Sequence, residues 1–222
     1  MEVLALIIVI YLIYKFFKGP SKKDRENKAL KERLTRIKSI DKSKIICVDI
    51  ETTGLNKAKD EILQISIIDG NGNIIFNKYV KPRHRKRWTD AAALHGITPQ
   101  MVKNQPTLDE HLKDLEEIIT NAELIVGYNC EKFDLPFLSA SGVRFIDGTP
   151  CYDVMIAFAN VYKEWNEYYK RYNYKNLKFC AKYYGYTGKL NTHNSLDDAT
   201  ATLFAFNAVV DDILNSLSKP VI

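Results

Sequence analysis

The stretch Ile45-Ile46-Cys47-Val48-Asp49-Ile50-Glu51-Thr52-Thr53-Gly54-Leu55 is an apolar run that stops at two carboxylates one residue apart and then turns. Its first half predicts a strand. Side chains alternate faces along a strand, so Asp49 and Glu51 emerge side by side at its carboxyl end while Ile50 points into the core. Two adjacent anions with no basic residue between them repel each other unless a cation lies between, and the simplest such partner is a hard divalent metal, which takes oxygen ligands. Taken alone, the same pattern also fits a solvated strand terminus.

Working outward, apolar patterning predicts strands over 44–50, 61–69 and 73–80, with Asp69-Gly70-Asn71-Gly72 as a hairpin turn. Helical spacing follows over 107–120, a strand over 124–128, and helices over 134–141, 153–162, 176–184 and 195–217. Three leading strands followed by alternating helices and strands indicate an α/β fold with a mixed β-sheet flanked by helices.

Residues 3–14 are uncharged and almost wholly apolar, and with Lys15 snorkelling the stretch extends to residue 17, about 22 Å of helix against a bilayer core of about 30 Å. Tyr11, Tyr14 and the basic flank Lys15, Lys18, Lys22, Lys23 and Arg25 suit interfacial anchoring. The reading is an N-terminal hydrophobic helix acting as a single-pass membrane anchor through residues 3–17, with the body of the protein in the cytoplasm. Gly19-Pro20 ends that helix, and residues 21–40 form a charged helical spacer with Ala29, Leu30, Leu34 and Ile37 on one face. The expected organisation is an anchor over 1–18, a linker over 19–42 and a folded domain over 43–218.

A chain of 222 residues that is 46% hydrophobic and 27% charged can bury one substantial core. The net charge of +5 is not spread evenly. Residues 15–44 hold 12 Lys/Arg against 4 Asp/Glu, a balance of +8, so the rest of the chain carries −3. Composition alone therefore does not prove a polyanionic substrate. Within the folded part, Lys81-Pro82-Arg83-His84-Arg85-Lys86-Arg87-Trp88 is the one dense basic cluster, able to grip phosphates or to stand as a solvated loop. Cys47, Cys130, Cys151 and Cys180 are widely spaced with no zinc-ligand pattern, which favours buried thiols in a reducing compartment.

Two further acidic motifs stand downstream. In Tyr128-Asn129-Cys130-Glu131-Lys132-Phe133-Asp134 a strand ends and Asp134 enters the first turn of a helix, where it serves either a ligand site or the helix dipole. In His193-Asn194-Ser195-Leu196-Asp197-Asp198-Ala199, Ser195 and Asp198 satisfy a capping-box spacing, whereas His193 has no such structural use and suits a general base near neutral pH.

Read together, the three segments resemble the DEDDh family of 3′–5′ exonucleases, which contains the proofreading subunit of bacterial replicative DNA polymerase, ribonuclease T and oligoribonuclease. Asp49-Ile50-Glu51-Thr52-Thr53-Gly54-Leu55 matches the first family motif, Asn129 through Phe133-Asp134 the second, and His193, Asp198 and Ala199 the third. His95-Gly96-Ile97-Thr98 also looks like a family signature. Tyr128 stands where the family usually has His, and Ser195 where it usually has Ala.

The resemblance implies a ribonuclease H-like fold and two Mg²⁺ or Mn²⁺ ions held by Asp49, Glu51, Asp134 and Asp198, whose four negative charges balance two divalent ions. It implies His193 as general base, and a terminal-nucleotide pocket lined by Thr52, Thr53, Gly54, Leu55, His95 and Asn129. The implied partner is nucleic acid with a free 3′ end, DNA favoured and RNA possible, together with a DNA polymerase or repair partner. The rival expectation is a catalytically silent nucleic-acid-binding module. The Tyr-rich stretch over 162–186 is either a single-strand contact or an amphipathic surface, and Phe133, Phe137 and Leu138 read as core.

Overall fold

The computed structural model describes Ile7 and residues 21–145, 148–190 and 193–219. They form two compact units, Ile40–Ile213 and a smaller one made by the described parts of Met1–Ser39 and Leu214–Ile222. In the smaller unit α1 (Lys22–Ser39) is capped by Ser21, whose hydroxyl accepts the Asp24 amide and whose own amide donates to the Asp24 carboxylate. Leu34 and Ile37 are buried, whereas Leu30 is exposed.

The expectation of a single-pass membrane protein with a cytoplasmic domain is overturned, since no helix among the described residues is long and apolar enough to cross a membrane. The two longest described helices carry too much charge: α1 is Lys/Arg/Glu-rich, and the final helix opens with Asp197 and Asp198 and carries Asp211 and Asp212. The expected apolar helix over residues 3–17 lies, except for Ile7, outside the described residues.

The larger unit is built on a five-stranded sheet of order β3-β2-β1-β4-β5, from β1 (Ile45–Thr52), β2 (Ile62–Asp69), β3 (Ile74–Tyr79), β4 (Leu124–Gly127) and β5 (Cys151–Asp153). β1, β2 and β3 pair antiparallel, and β4 and β5 join parallel. β2 is buried at every position, which is why Ile and Leu occupy so much of it; each such side chain contributes roughly 1.5–3 kcal/mol on burial. The turn between β2 and β3 is held by Asp69, whose carboxylate accepts the amides of Asn71 and Asn73 at 2.9 and 2.8 Å.

Around the sheet lie α2 (Thr89–His95), α3 (Pro99–Val102), α4 (Leu112–Thr120), α5 (Asp134–Ala140), α6 (Val154–Tyr162), α7 (Leu177–Tyr183) and α8 (Ser195–Ser218), with a small hairpin of β6 (Trp165–Asn166) and β7 (Arg171–Tyr172). The helix predicted over 107–120 is a 3₁₀ turn, Leu108–His111, followed by α4, because the Glu110 side chain folds back to accept the Thr107 amide at 2.8 Å. Strand β5, helices α2 and α3 and the β6–β7 hairpin do not stand out in the sequence. Each is too short to show a period.

Strand alternation decides the position of the site. Ile46, Val48 and Ile50 pack into the main core with Leu115 and Ile119 of α4 and Phe137 and Leu138 of α5. Cys47, Asp49 and Glu51 therefore face the opposite layer, where the Cys47 thiol donates to the Ala199 carbonyl of α8 at 3.3 Å.

Candidate active site

Three segments far apart in sequence meet at the carboxyl end of β1. Carboxylate oxygens of Asp49, Glu51 and Asp198 all lie within 4.8 Å of one another. Asp198 reaches them because α8 begins directly against the sheet. Its cap is Asn194, whose side chain accepts the Leu196 amide at 3.1 Å, and Asp198 donates its own amide to the Asn194 carbonyl at 2.9 Å. Ser195 does not cap, contrary to the capping-box expectation. Its buried hydroxyl hydrogen-bonds Ser66 of β2 at 2.7 Å, and Ser66 is the register partner of Asp49. A hydroxyl where the family usually has Ala is thus satisfied inside the protein.

Asp134, only 3% exposed, stands outside that trio. Pairing of β1 with β4 ends at Cys47↔Val126, so the Ile50 amide beyond it lacks a β4 carbonyl and donates instead to Asp134 at 3.1 Å. The loop carrying Asp134 passes tightly under β1. A methyl on Gly127 would lie 2.4 Å from the Cys130 β-carbon and 3.3 Å from the Val48 carbonyl, so glycine is required there.

A residue that sequence reasoning missed orders this loop. Asp153, buried at the end of β5, accepts the amides of Asn129 at 3.0 Å and Glu131 at 3.4 Å, and caps α6 through Met155 at 3.0 Å. Its only sequence signal was its place at the head of a helical pattern. Asn129 itself takes a left-handed backbone with φ 63°, which Asn tolerates better than most residues.

The electrostatics of the cluster are unbalanced. Burial, then Asp134, Glu51 and Asp198, push the Asp49 carboxyl well above its ordinary range. Burial, then Asp198 and Asp134, raise Glu51 to about 8. Burial raises Asp134 to about 7, against the backbone amides that stabilise its charged form. Asp198 is also raised by burial, with His193 opposing. No Lys or Arg is among the main charges acting on the four. An all-oxygen donor set with so little compensating positive charge fits a divalent metal ion.

His193 is exposed, with a left-handed φ of 37°, and acts electrostatically on both Asp198 and His95. His95 ends α2 with its ring turned toward β1. Its Nδ1 accepts the Ile97 amide at 3.0 Å, which requires that nitrogen to be unprotonated, so Nε2–H donates to the Thr52 carbonyl at 3.1 Å. Burial lowers its pKa, in keeping with a neutral ring that holds Thr52 in place.

The turn after β1 is shaped from within. Thr52 and Thr53 are buried; the Thr52 hydroxyl donates to the Gly54 carbonyl at 2.6 Å, and the Thr53 hydroxyl donates to Asp60 at 3.2 Å. A β-carbon on Gly54 would lie 2.5 Å from an Asp60 carboxylate oxygen that also accepts the Asn56 amide. We expect Gly54→Ala to cost about 1–3 kcal/mol in thermal or denaturant unfolding by displacing Asp60. Leu55 is 85% exposed at the rim of this turn.

The basic loop does not present a row of free cations. Arg83 pairs with Asp109, Arg85 pairs with Asp60 at 2.9 Å, and the amides of Arg83, His84 and Arg85 all donate to the Glu61 carboxylate. Trp88 is buried and donates to the Ile97 carbonyl at 2.7 Å. The Tyr128 hydroxyl is committed to the backbone, donating to the Lys175 carbonyl at 2.8 Å.

Among solved structures, the chain is similar to a zinc-bound E. coli ExoI–ssDNA complex, with a TM-score of 0.60 and 21% identity over 77% of this chain and 41% of that one. It is also similar to E. coli exonuclease I in complex with a dA16 oligonucleotide, with a TM-score of 0.60 and 18% identity over 78% of this chain and 42% of that one. At such identity the likeness is one of fold. Curated relatives include DNA polymerase III PolC-type from Staphylococcus epidermidis and from Staphylococcus aureus, each 28% identical over 171 residues. These cover 76% of the chain, which spans 11% of the length of those relatives. The family model described as Exonuclease, RNase_T, matches residues 46–206, a stretch that contains Asp49, Glu51, Asp134, Asp198 and His193, and the chain belongs to that family.

Proposed function

We propose that residues 43–218 form a metal-dependent 3′–5′ exonuclease that hydrolyses the terminal phosphodiester of a nucleic acid, DNA in preference to RNA. The observation that carries this reading is the carboxylate cluster: Asp49, Glu51 and Asp198 with oxygens within 4.8 Å, Asp134 buried beside them, and, among the described residues, His193 as the one basic side chain among the main charges acting on them. Such a group is poorly stable as free anions and suited to holding cations.

In this reading Asp49, Glu51, Asp134 and Asp198 hold two Mg²⁺ or Mn²⁺ ions. Ions bound there would supply positive charge that stabilises the phosphate under attack. His193, exposed beside Asp198, takes the proton from the attacking water as its oxygen bonds to phosphorus. The 3′ oxygen of the penultimate nucleotide departs and takes up a proton from solvent, leaving a nucleoside 5′-monophosphate and a strand shorter by one. Thr52, Thr53, Gly54, Leu55, His95 and Asn129 shape the pocket for the terminal nucleotide, with Leu55 free to meet a base and His95 positioning Thr52. The DNA preference draws support from PolC-type relatives named as DNA polymerases and from neighbours named as DNA complexes. The same relatives favour a replication or repair setting.

The test is digestion of 5′-labelled single strands of matched DNA and RNA with Mg²⁺, Mn²⁺ or chelator. We expect a metal-dependent ladder that shortens from the 3′ end, faster on DNA. No shortening, shortening unaffected by chelator, or shortening from the 5′ end would each reject the reading.

A further inference from the structure

Beside the loop that carries Asp134 stands the small β6–β7 hairpin, paired Trp165↔Tyr172 and Asn166↔Arg171. It is rigidly built. The Asn166 side chain accepts the amides of Tyr168 and Tyr169 at 3.0 Å each and donates to Asn173 at 2.7 Å, and Glu164 binds both Asn173 and Lys175. The Tyr128–Lys175 hydrogen bond ties its base to the end of β4.

That rigidity is spent on holding aromatic rings in solvent. Tyr168 is 86% exposed, Tyr169 61% and Trp165 49%, an arrangement a merely structural hairpin would avoid. Cations alternate with the rings. The Arg171 guanidinium lies 4.0 Å from the Tyr174 ring centre and 5.2 Å from that of Tyr169, and the Lys132 ammonium lies 5.7 Å from Tyr174. Lys132 is two residues before Asp134 in the chain, so the series Tyr169, Arg171, Tyr174, Lys132 joins the hairpin to the loop that carries Asp134. Among the described residues neither Arg171 nor Lys132 has a carboxylate partner, while the hairpin's own acids, Glu164 and Glu167, are taken by Lys175 and Lys170.

We propose that this hairpin is a clamp for single-stranded nucleic acid, gripping the nucleotides upstream of the terminal one through base stacking on Tyr168 and Tyr169 and phosphate contact with Arg171 and Lys132. Alternating rings and cations without a carboxylate partner match the alternating bases and phosphates of a single strand, which suits this surface better than an apolar protein partner. The placement of the strand's 3′ end rests on the exonuclease reading.

The experiment compares the full chain with Tyr168→Ala/Tyr169→Ala/Arg171→Ala, the single substitutions, and Tyr169→Phe and Arg171→Lys. Binding of fluorescein-labelled oligothymidylates of about 4 and about 16 nucleotides, spanning common single-strand site sizes, is read by anisotropy in chelator. Hydrolysis of both lengths and of the p-nitrophenyl ester of thymidine monophosphate is read with Mn²⁺. We expect the triple variant to lose about tenfold or more in affinity and KM for the long strand. Turnover of the nitrophenyl ester is expected to be unchanged. Arg171→Ala should lower the salt slope by about 0.7, and the two conservative variants should restore most of the binding.

Long-strand affinity within about twofold of the parent in the triple variant overturns the clamp, and does so whether or not the protein cleaves. A parent that binds through the hairpin but cleaves nothing keeps the clamp and rejects the exonuclease reading. Equal losses on the nitrophenyl ester and the long strand would mean the hairpin only supports the fold, which also rejects the clamp.

Discussion

Asp49→Asn yields a protein that melts above the parent in chelating buffer at pH 8 and no longer cleaves nucleic acid. Asp49 is held well above its ordinary pKa by burial and by Asp134, Glu51 and Asp198, so its ionised form is a cost to the metal-free fold. An amide of the same shape removes one negative charge from the crowd while leaving packing intact. The expected gain is about 1–3 kcal/mol, or several degrees of melting temperature for a domain of this size. In the proposed reading the same change deletes a ligand and a share of the charge that would hold the cations, and turnover with Mn²⁺ should fall about 10²–10³-fold or more. Function is here bought with stability. Melting curves in chelator and turnover assays on the same preparation check both halves. Turnover at the parental rate would show that the cluster is not the catalytic centre, and a lower melting point would show that Asp49 has an offsetting partner.

The metal-free protein should also grow more stable as the solution is acidified from about pH 8 to about pH 5, the reverse of ordinary acid behaviour. Glu51 is raised from 4.5 to about 8 and Asp134 from 3.8 to about 7. Between the unfolded and folded values the native state binds more protons than the unfolded chain, so the unfolding free energy drops as pH rises, by up to about 1.4 kcal/mol per pH unit for each group. Asp69 and Glu61 have lowered values, and lose their stabilising effect only below the unfolded carboxylate range. His95 opposes the trend, since its lowered value lets the unfolded chain protonate first near pH 6.5. One imidazole against several carboxylates leaves the sign unchanged. Added Mn²⁺ competes with those protons, so the metal-induced rise in melting temperature should be small near pH 5 and largest near pH 8. A chelated protein whose melting point is flat over that range, or one that Mn²⁺ does not stabilise at pH 8, would contradict the electrostatic account of the site.

Much of the fold can be read from local pattern because its strands and long helices each carry a clear period. The run 45–55 marks a strand ending in two acids, and the segments around Asp134 and His193 mark helix starts that hold candidate site residues. Local spacing misleads where a side chain spends its polar group elsewhere. Ser195 lies at capping distance from Asp198 yet bonds Ser66, 129 residues away in the chain, because the buried face of β2 offers a hydroxyl and Asn194 already caps the helix. Basic density around residue 85 suggests a phosphate grip, but Asp60, Asp109 and Glu61 arrive from other segments and occupy much of it. Asp153 shows the converse: an ordinary helix-heading acid gains a role in the site only because β5 lies beside β4 and brings it under the loop at Asn129.

The amino-acid order alone determined the α/β class, the candidate site residues and the strand face on which Asp49 and Glu51 emerge, because alternation and helical spacing are properties of neighbouring residues. Tertiary structure decided which acids meet, which stand apart and which cations stay unpaired. Those depend on through-space Coulomb forces and on hydrogen bonds between segments up to about 150 residues apart, such as Cys47 to the Ala199 carbonyl, whose sequence separation is 152. No local pattern encodes such distances.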